Sequence, residues 1–260
     1  LLLLTAKLYG EVTETTMRAG IGLEMLHTAT LIHDDIVDES STRRGQASVN
    51  AIYDNKIAVL VGDYILSTAL INVSDSKDIE IVRYLSILGQ TLSDGEILQL
   101  TSNVSEKISE EAYYEVIRKK TAALFEAASA MGAMSVNASA KSIEKARLFG
   151  QKIGMIFQIK DDIFDYYNSE EIGKPTGNDM LEGKLTLPAI YAVLSSDNSE
   201  MKQIAMSVKS RKASDAEIAR LIAFTKEQGG VKSAEQKMMK MREEAMEFIN
   251  KEVHDSSLKN

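Results

Sequence analysis

Two prolines, Pro175 and Pro188, are all that 260 residues contain, where ordinary usage would place roughly 13. Proline lacks a backbone donor and clashes with the preceding turn, so a chain nearly free of it can be helical almost throughout. Apolar spacing predicts helices at about 5–20, 21–38, 46–73, 77–104, 109–137, 140–167, 185–196, 198–210, 214–228 and 231–254. Ile57 to Val61 could be a buried strand, but no other segment would pair with it, so it reads as helix. One stretch resists a helix: Asn168 to Pro188, broken by Gly173, Pro175, Gly177 and Gly183. Apolar helices flank it, which places it inside a domain, where a loop of that length is usually functional. The expected fold class is all-α, a helical bundle forming a single domain over 1–260.

Composition removes several functions. Cysteine is absent, which excludes disulfides, thiolate metal sites and a cysteine nucleophile. Three histidines are too few for a His-rich zinc site. A net charge of −8 with no basic arm disfavours nucleic acid as a partner. No apolar run approaches the ~18 residues of a membrane span, and Leu1 to Leu4 follow no charged leader. A cytoplasmic protein without a transmembrane segment is expected.

The helices at 21–38 and 140–167 are apolar over most of their circumference, as helices buried in a bundle are, so their polar residues carry the information. The first ends in His33-Asp34-Asp35-Ile36-Val37-Asp38, the second in Asp161-Asp162-Ile163-Phe164-Asp165. Both read Asp-Asp-x-x-Asp, a pattern that chance places only about 0.05 times in a chain of this composition. Asp34 and Asp38 are four apart and share a helix face, as do Asp161 and Asp165. Like charges at that spacing repel, and burying them is costly unless they are compensated. Oxygen-only donors suit a hard cation such as Mg²⁺, which keeps waters and binds substrate phosphates. The competing reading is two solvated helix ends paired with Lys or Arg. His27 lies on the face of Asp34 and Asp38, while Gly154, Gln158, Asp161 and Asp165 share another. A polar stripe down a core helix suggests a cavity, although a lone His27 is often just a core histidine with its partners satisfied.

A divalent cation beside basic groups makes a diphosphate site. Arg43-Arg44-Gly45 follows Asp38, Lys119-Lys120-Thr121 sits early in the helix at 109–137, and the loop supplies Lys174 and Lys184. Arg can grip phosphate oxygens with two parallel bonds and Lys acts as a point charge. Taken singly, each is ordinary surface solvation. No Walker-type phosphate loop occurs.

His27 to Gly45 resembles the first aspartate-rich region of the trans-prenyl diphosphate synthases, and Gly154 to Asp165 resembles the second. Lys120-Thr121 and Gly173-Lys174 through Pro188 resemble the motifs between and after them, so the likeness runs along nearly the whole chain. The wording around the first region is most similar to long-chain enzymes of the octaprenyl type. The resemblance implies a homodimer of bundles, each around a deep central cavity. It implies three Mg²⁺ ions, with Asp34, Asp35 and Asp38 on one side and Asp161, Asp162 and Asp165 on the other. The allylic diphosphate is then held by Arg43, Lys120, Thr121, Gln158, Lys174 and Lys184, and isopentenyl diphosphate by His27 and Arg44. Asp34, Asp38, Lys120, Asp161 and Lys174 carry the catalytic step. A Gly-Lys-x-x-Arg-Pro element of the family is expected just before Leu1, and the C-terminus is expected to be longer.

The implied reaction is head-to-tail condensation of isopentenyl diphosphate with an allylic diphosphate. Ala29 and Thr30, one turn before Asp34, are small where short-chain enzymes of the family carry an aromatic plug. The expected product is therefore long, about C30 to C50, a length suited to quinone side chains, with transient membrane contact for its release. Alternatives are a farnesyl or geranylgeranyl synthase, a terpene cyclase, whose second metal motif typically mixes Asn, Ser and Glu, and a silent subunit, which would be expected to lose the aspartates. A di-iron bundle needs two Glu-x-x-His pairs, and only Glu24-Met-Leu-His27 occurs.

Overall fold

The computed structural model describes residues 1–103, 105, 107–167 and 177–253. Helices dominate: α1 (Leu2–Tyr9), α2 (Glu14–Val37), α3 (Val49–Ile52), α4 (Asn55–Ser74), α5 (Ile79–Asn103), α6 (Glu110–Ile117), α7 (Ala123–Met134) and α8 (Ala140–Phe164). They continue with α9 (Asn178–Leu181), α10 (Leu187–Leu194), α11 (Ser199–Lys209), α12 (Asp215–Glu227) and α13 (Gly230–Glu252). Between α2 and α3 lies a small antiparallel hairpin, β1 (Thr42–Arg43) and β2 (Gln46–Ala47). The all-α class expected from the near-absence of proline is what the described residues form.

The chain divides into two compact units. The first comprises residues 1–92 and 123–151 together with the chain from 248. Its core joins Leu23 and Leu26 of α2 to Ala69 and Val73 of α4, Ile81, Leu85 and Leu88 of α5, and Ala127 and Met131 of α7. The close approach of α2 and α4 depends on two glycines. A Cβ on Gly22 would stand 2.1 Å from Val73 Cγ2, and one on Gly62 would stand 2.2 Å from His33 Nε2. This explains why the helix break expected near residue 20 falls elsewhere. Gly20 and Gly22 lie inside α2, and the break is at Gly10–Thr13, where Thr13 caps α2 by accepting from the Thr16 N–H.

The expected helix at 46–73 is likewise interrupted. Arg44 and Gly45 both adopt positive φ, 52° and 76°, the geometry of a two-residue hairpin turn. Asp54 then caps α4, its side chain accepting from the Ile57 N–H at 2.9 Å. The Ile57–Val61 run is helical. By length and composition alone α4 is apolar enough to cross a membrane. It carries Ala58, Gly62, Ala69 and Val73 on a buried face, while Leu60, Tyr64 and Ile71 are 63, 74 and 63 % exposed.

The second unit comprises residues 93–122 and 152–247. Met201, Ile204 and Val208 of α11 pack with Ile218 and Leu221 of α12, and Tyr113 and Ile117 of α6 pack with Ile159 and Ile163 of α8. The helix expected at 109–137 is not continuous: Arg118–Ala122 forms a π-helical turn between α6 and α7. Of the expected loop at 168–188, residues 168–176 lie outside the described residues, and 178–181 form α9. Full burial of the two aspartate-bearing helices is not found, since Ile21 and Val37 on α2 and Leu148, Phe157 and Phe164 on α8 are exposed.

Candidate active site

In the first unit α2 delivers its aspartates at its C-terminus. Asp34 and Asp38 are half-buried and Asp35 is buried. The hairpin brings Arg43 back onto this end: its Nε donates to Asp35 Oδ1 at 2.7 Å, and its Nη2 lies 2.6 Å from the same oxygen. Asn50 and Ser48 secure the connection by donating to the Ser40 carbonyl at 3.1 and 2.8 Å. The Asp35 hydrogen bond strengthens the hold of Arg43 on its proton, and the charges of Asp34 and Asp38 add to it. His27, half-buried, is pushed below the ordinary imidazole range by burial, then by Arg44 and Arg43 against the opposing pull of Glu24. It faces a largely apolar cavity of about 520 Å³ with Ile21, Glu24 and Phe125. Arg44 is exposed at the hairpin tip. Ala29 is buried, and the Thr30 hydroxyl donates to the His27 carbonyl at 2.9 Å. Neither lines this cavity.

The second unit holds a cavity of about 280 Å³ lined by Lys120, Thr121, Gln158, Asp161, Asp162 and Lys184, and also by Asp179. Lys120 and Thr121 sit on the π-helical turn, a distortion that recurs at functional sites. The backbone reaches this position because Gly95 of α5 leaves room: a Cβ there would stand 2.8 Å from the Lys120 nitrogen. Lys120 pairs with Glu96 at 2.6 Å, and Lys184 with Glu182 at 2.6 Å. Lys174 lies outside the described residues.

The three aspartates of the second motif have different surroundings. Asp161 is exposed. Asp162 is 3 % exposed; it accepts from the Tyr113 hydroxyl at 2.6 Å and from Gln158 Nε2 at 2.8 Å. Burial pushes its carboxyl up to about 6 despite those two donors. Asp165 does not line the cavity. It accepts backbone N–H groups of Gly177, Asn178 and Asp179 at 3.1, 3.1 and 3.4 Å, which caps α9, and burial raises it. Asp179 is pushed up to about 7 by burial, then by the charges of Asp162 and Asp165.

A family model described as polyprenyl synthetase matches residues 1–225. The chain belongs to the polyprenyl synthetase family. It is 39 % identical over 172 residues to octaprenyl diphosphate synthase of Escherichia coli, a match covering 66 % of this chain and 53 % of that one. The chain thus spans about half the length of that curated relative. Among solved structures, a geranylgeranyl pyrophosphate synthase from Bacteroides thetaiotaomicron is 47 % identical with a TM-score of 0.88, over 99 % of this chain and 81 % of that one. A decaprenyl diphosphate synthase from Rhodobacter capsulatus is 32 % identical with a TM-score of 0.91, over 99 % and 80 %.

Within this polyprenyl synthetase the carboxylates are not a ready-made cation cage, since among the described residues no three His, Cys, Asp or Glu are gathered closely enough. The donor chemistry still fits Mg²⁺, which is commonly bound by one or two carboxylates together with substrate phosphates and water. Asp161 and Asp179 face one cavity as oxygen donors, and Asp162 and Asp165 add negative charge around Asp179 that a cation would relieve. Two residues of this site escaped sequence reasoning. Asp179 sits in Gly177-Asn-Asp-Met-Leu-Glu-Gly-Lys184, whose basic end alone drew notice. Tyr113, seven residues before Lys120, reads as an ordinary core aromatic, and no local signal pairs it with Asp162.

Proposed function

We propose that this protein is a Mg²⁺-dependent trans-prenyltransferase that condenses isopentenyl diphosphate onto an allylic diphosphate to make a long polyprenyl diphosphate of about C30 to C50. The observation that carries the reading is the second-unit cavity, where Asp161 and Asp179 stand among Lys120 and Lys184. Carboxylates and lysines lining one cavity suit an anion that arrives with a divalent cation, and suit neither alone.

In this reading Lys120, Lys174 and Lys184 hold the allylic diphosphate. Asp34, Asp38 and Asp161 are the principal cation ligands. Asp35, Asp162 and Asp165 stand behind them, their oxygens already accepting from Arg43, from Tyr113 and Gln158, and from the α9 backbone. When bound, Mg²⁺ supplies the positive charge that diphosphate oxygens need as a leaving group. The allylic carbon–oxygen bond breaks with its electron pair passing to the diphosphate. The double bond of isopentenyl diphosphate attacks the allylic carbon, and a proton is then lost to the departed diphosphate. His27, whose imidazole burial pushes below its ordinary range, and Arg44 hold isopentenyl diphosphate. Lys120 and Lys184 keep the leaving diphosphate in place.

The proposal extends to a single synthase domain working as a homodimer in the cytoplasm. The exposed Leu60, Tyr64 and Ile71 on one face of α4 support a second copy as partner. A second reading, a C20 product, is favoured by the 47 % identity to the geranylgeranyl synthase. Mass spectrometry of products from farnesyl and isopentenyl diphosphates separates the two. Products beyond C25 that vanish in excess chelator are expected. C20 alone would establish the second reading, and undiminished synthesis in chelator would overturn the metal assignment.

A further inference from the structure

We propose that Tyr113 and Asp162 are positioning residues that lock the Gln158 side-chain amide in one orientation and thereby turn Thr121 into a hydrogen-bond acceptor toward the cavity. The inference rests on the prenyl-transfer reading and assigns to that site two residues that act through Gln158.

Few protons are available along this chain of hydrogen bonds. As a carboxylate, Asp162 has none to give. Its Oδ2 accepts from the Tyr113 hydroxyl at 2.6 Å and its Oδ1 from Gln158 Nε2 at 2.8 Å. Were the Gln158 amide flipped, its carbonyl oxygen would meet a carboxylate oxygen at that distance, two acceptors without a proton between them. The amide nitrogen must therefore face Asp162, and the Gln158 carbonyl must face Thr121. Thr121 Oγ1 lies 2.7 Å from Gln158 Oε1, and its single proton goes there. What Thr121 has left are lone pairs. It lines the cavity, so it presents an acceptor, and it cannot donate to a diphosphate oxygen as sequence resemblance implies. Heterolysis of the allylic carbon–oxygen bond leaves positive charge on carbon, which the negative end of a dipole already held in place favours.

Tyr113 matters because it occupies the second oxygen of a buried carboxylate. With both oxygens engaged, Asp162 is held facing the Gln158 amide. In that role the second aspartate of this motif is an anchor for Gln158 rather than a metal ligand.

Asp162→Asn tests this because it reverses the relay while keeping every group hydrogen-bonded. The oxygen of the introduced amide still accepts from Tyr113, and its nitrogen donates to the Gln158 carbonyl. Gln158 then donates to Thr121, and Thr121 points its proton into the cavity. With farnesyl and isopentenyl diphosphates as substrates, Asp162→Asn is expected to lower kcat by about 100-fold. Both KM values and the Mg²⁺ half-saturation should stay within about threefold. Tyr113→Phe, which removes one donor and little volume, is expected to lower kcat by about tenfold with the same constancy. A tenfold rise in Mg²⁺ half-saturation in either variant would make Asp162 a metal ligand and overturn the proposal, and so would a kcat within twofold of the parent. Should Asp162→Asn fail to fold, Tyr113→Phe decides alone by the same criteria. A parent that makes no prenyl product would instead defeat the functional reading. The relay is then judged by NMR of the Gln158 side-chain amide, identified by its loss in Gln158→Met. Its resonances should shift in Tyr113→Phe, and unchanged resonances would refute the relay.

Discussion

Replacing Gly95 by alanine separates a glycine kept for close approach from one that is merely tolerated. In the interior of a helix the change from Gly to Ala is worth about 1 kcal/mol in favour of the variant. At Gly95 a Cβ would stand 2.8 Å from the Lys120 nitrogen and 3.0 Å from both the carbonyl carbon and the Cβ of Lys119. Two of those atoms belong to the backbone of the π-helical turn, which cannot swing aside as a side chain can. Overpacking of this kind costs about 1–3 kcal/mol, so the net expectation is a loss of about 1 kcal/mol. For a chain of this size that corresponds to a fall in Tm of about 2–4 °C. Displacement of Lys120 and Thr121 should also lower kcat by about tenfold or more, since small misplacements of binding groups cost that much. Gly20→Ala is the internal control. It too lies in a helix interior, but the nearest atom to its Cβ is Leu2 Cδ2 at 3.7 Å, so it should gain about 1 kcal/mol. Thermal unfolding followed by circular dichroism and steady-state kinetics read both variants. A Gly95→Ala protein as stabilised as Gly20→Ala, with the parent's kcat, would refute the reasoning.

Asp34→Ala and Asp161→Ala are each expected to lower kcat by at least about 100-fold, because a ligand used in the ionising step is lost; retention of activity in either would remove that aspartate from the cation site. Arg44→Ala is expected to raise the KM for isopentenyl diphosphate by about tenfold with little change in kcat, and an effect confined to the allylic KM would reassign the two arginines. Ala29→Phe is expected to shorten products to about C15–C20 and, at a buried position, to cost about 1–3 kcal/mol; a folded, active variant with the parent's products would show that the growing chain runs elsewhere. Glu115 is held down at about 2, by its hydrogen bond from Arg118 first and by Lys119 as well. Its folded-state pKa is depressed, so its contribution is present above the unfolded value near 4.5 and fades as pH falls toward 2. The pair is partly exposed, so the loss should be about 1 kcal/mol or less. Glu115→Gln should flatten that part of the acid unfolding curve, and an unchanged curve would mean the pair contributes nothing.

What the sequence determined by itself was set by local rules. Helical spacing, the scarcity of proline and the two Asp-Asp-x-x-Asp motifs are properties of residues three and four apart, and an isolated string of letters displays them fully. That was enough for the all-α class and for the family resemblance, and it marked Asp34, Asp161 and Lys120 as candidates. The tertiary structure decided everything that depends on which distant residues meet. Residues 5–20 and 21–38 read as two helices meeting at 20–21, yet α2 runs through Gly20 and Gly22, with Val73 packed where a Cβ of Gly22 would be. Lys119-Lys120-Thr121 reads as plain helix until Gly95 makes room for a π turn. The six aspartates look alike in two repeats of one motif, yet Asp35 is bound by Arg43, Asp162 by Tyr113 and Gln158, and Asp165 by the backbone ahead of α9. Those partners lie from 4 to 49 residues away in the chain. Nothing in a motif records them, because a side chain's chemistry is settled by the donors and charges that folding places around it.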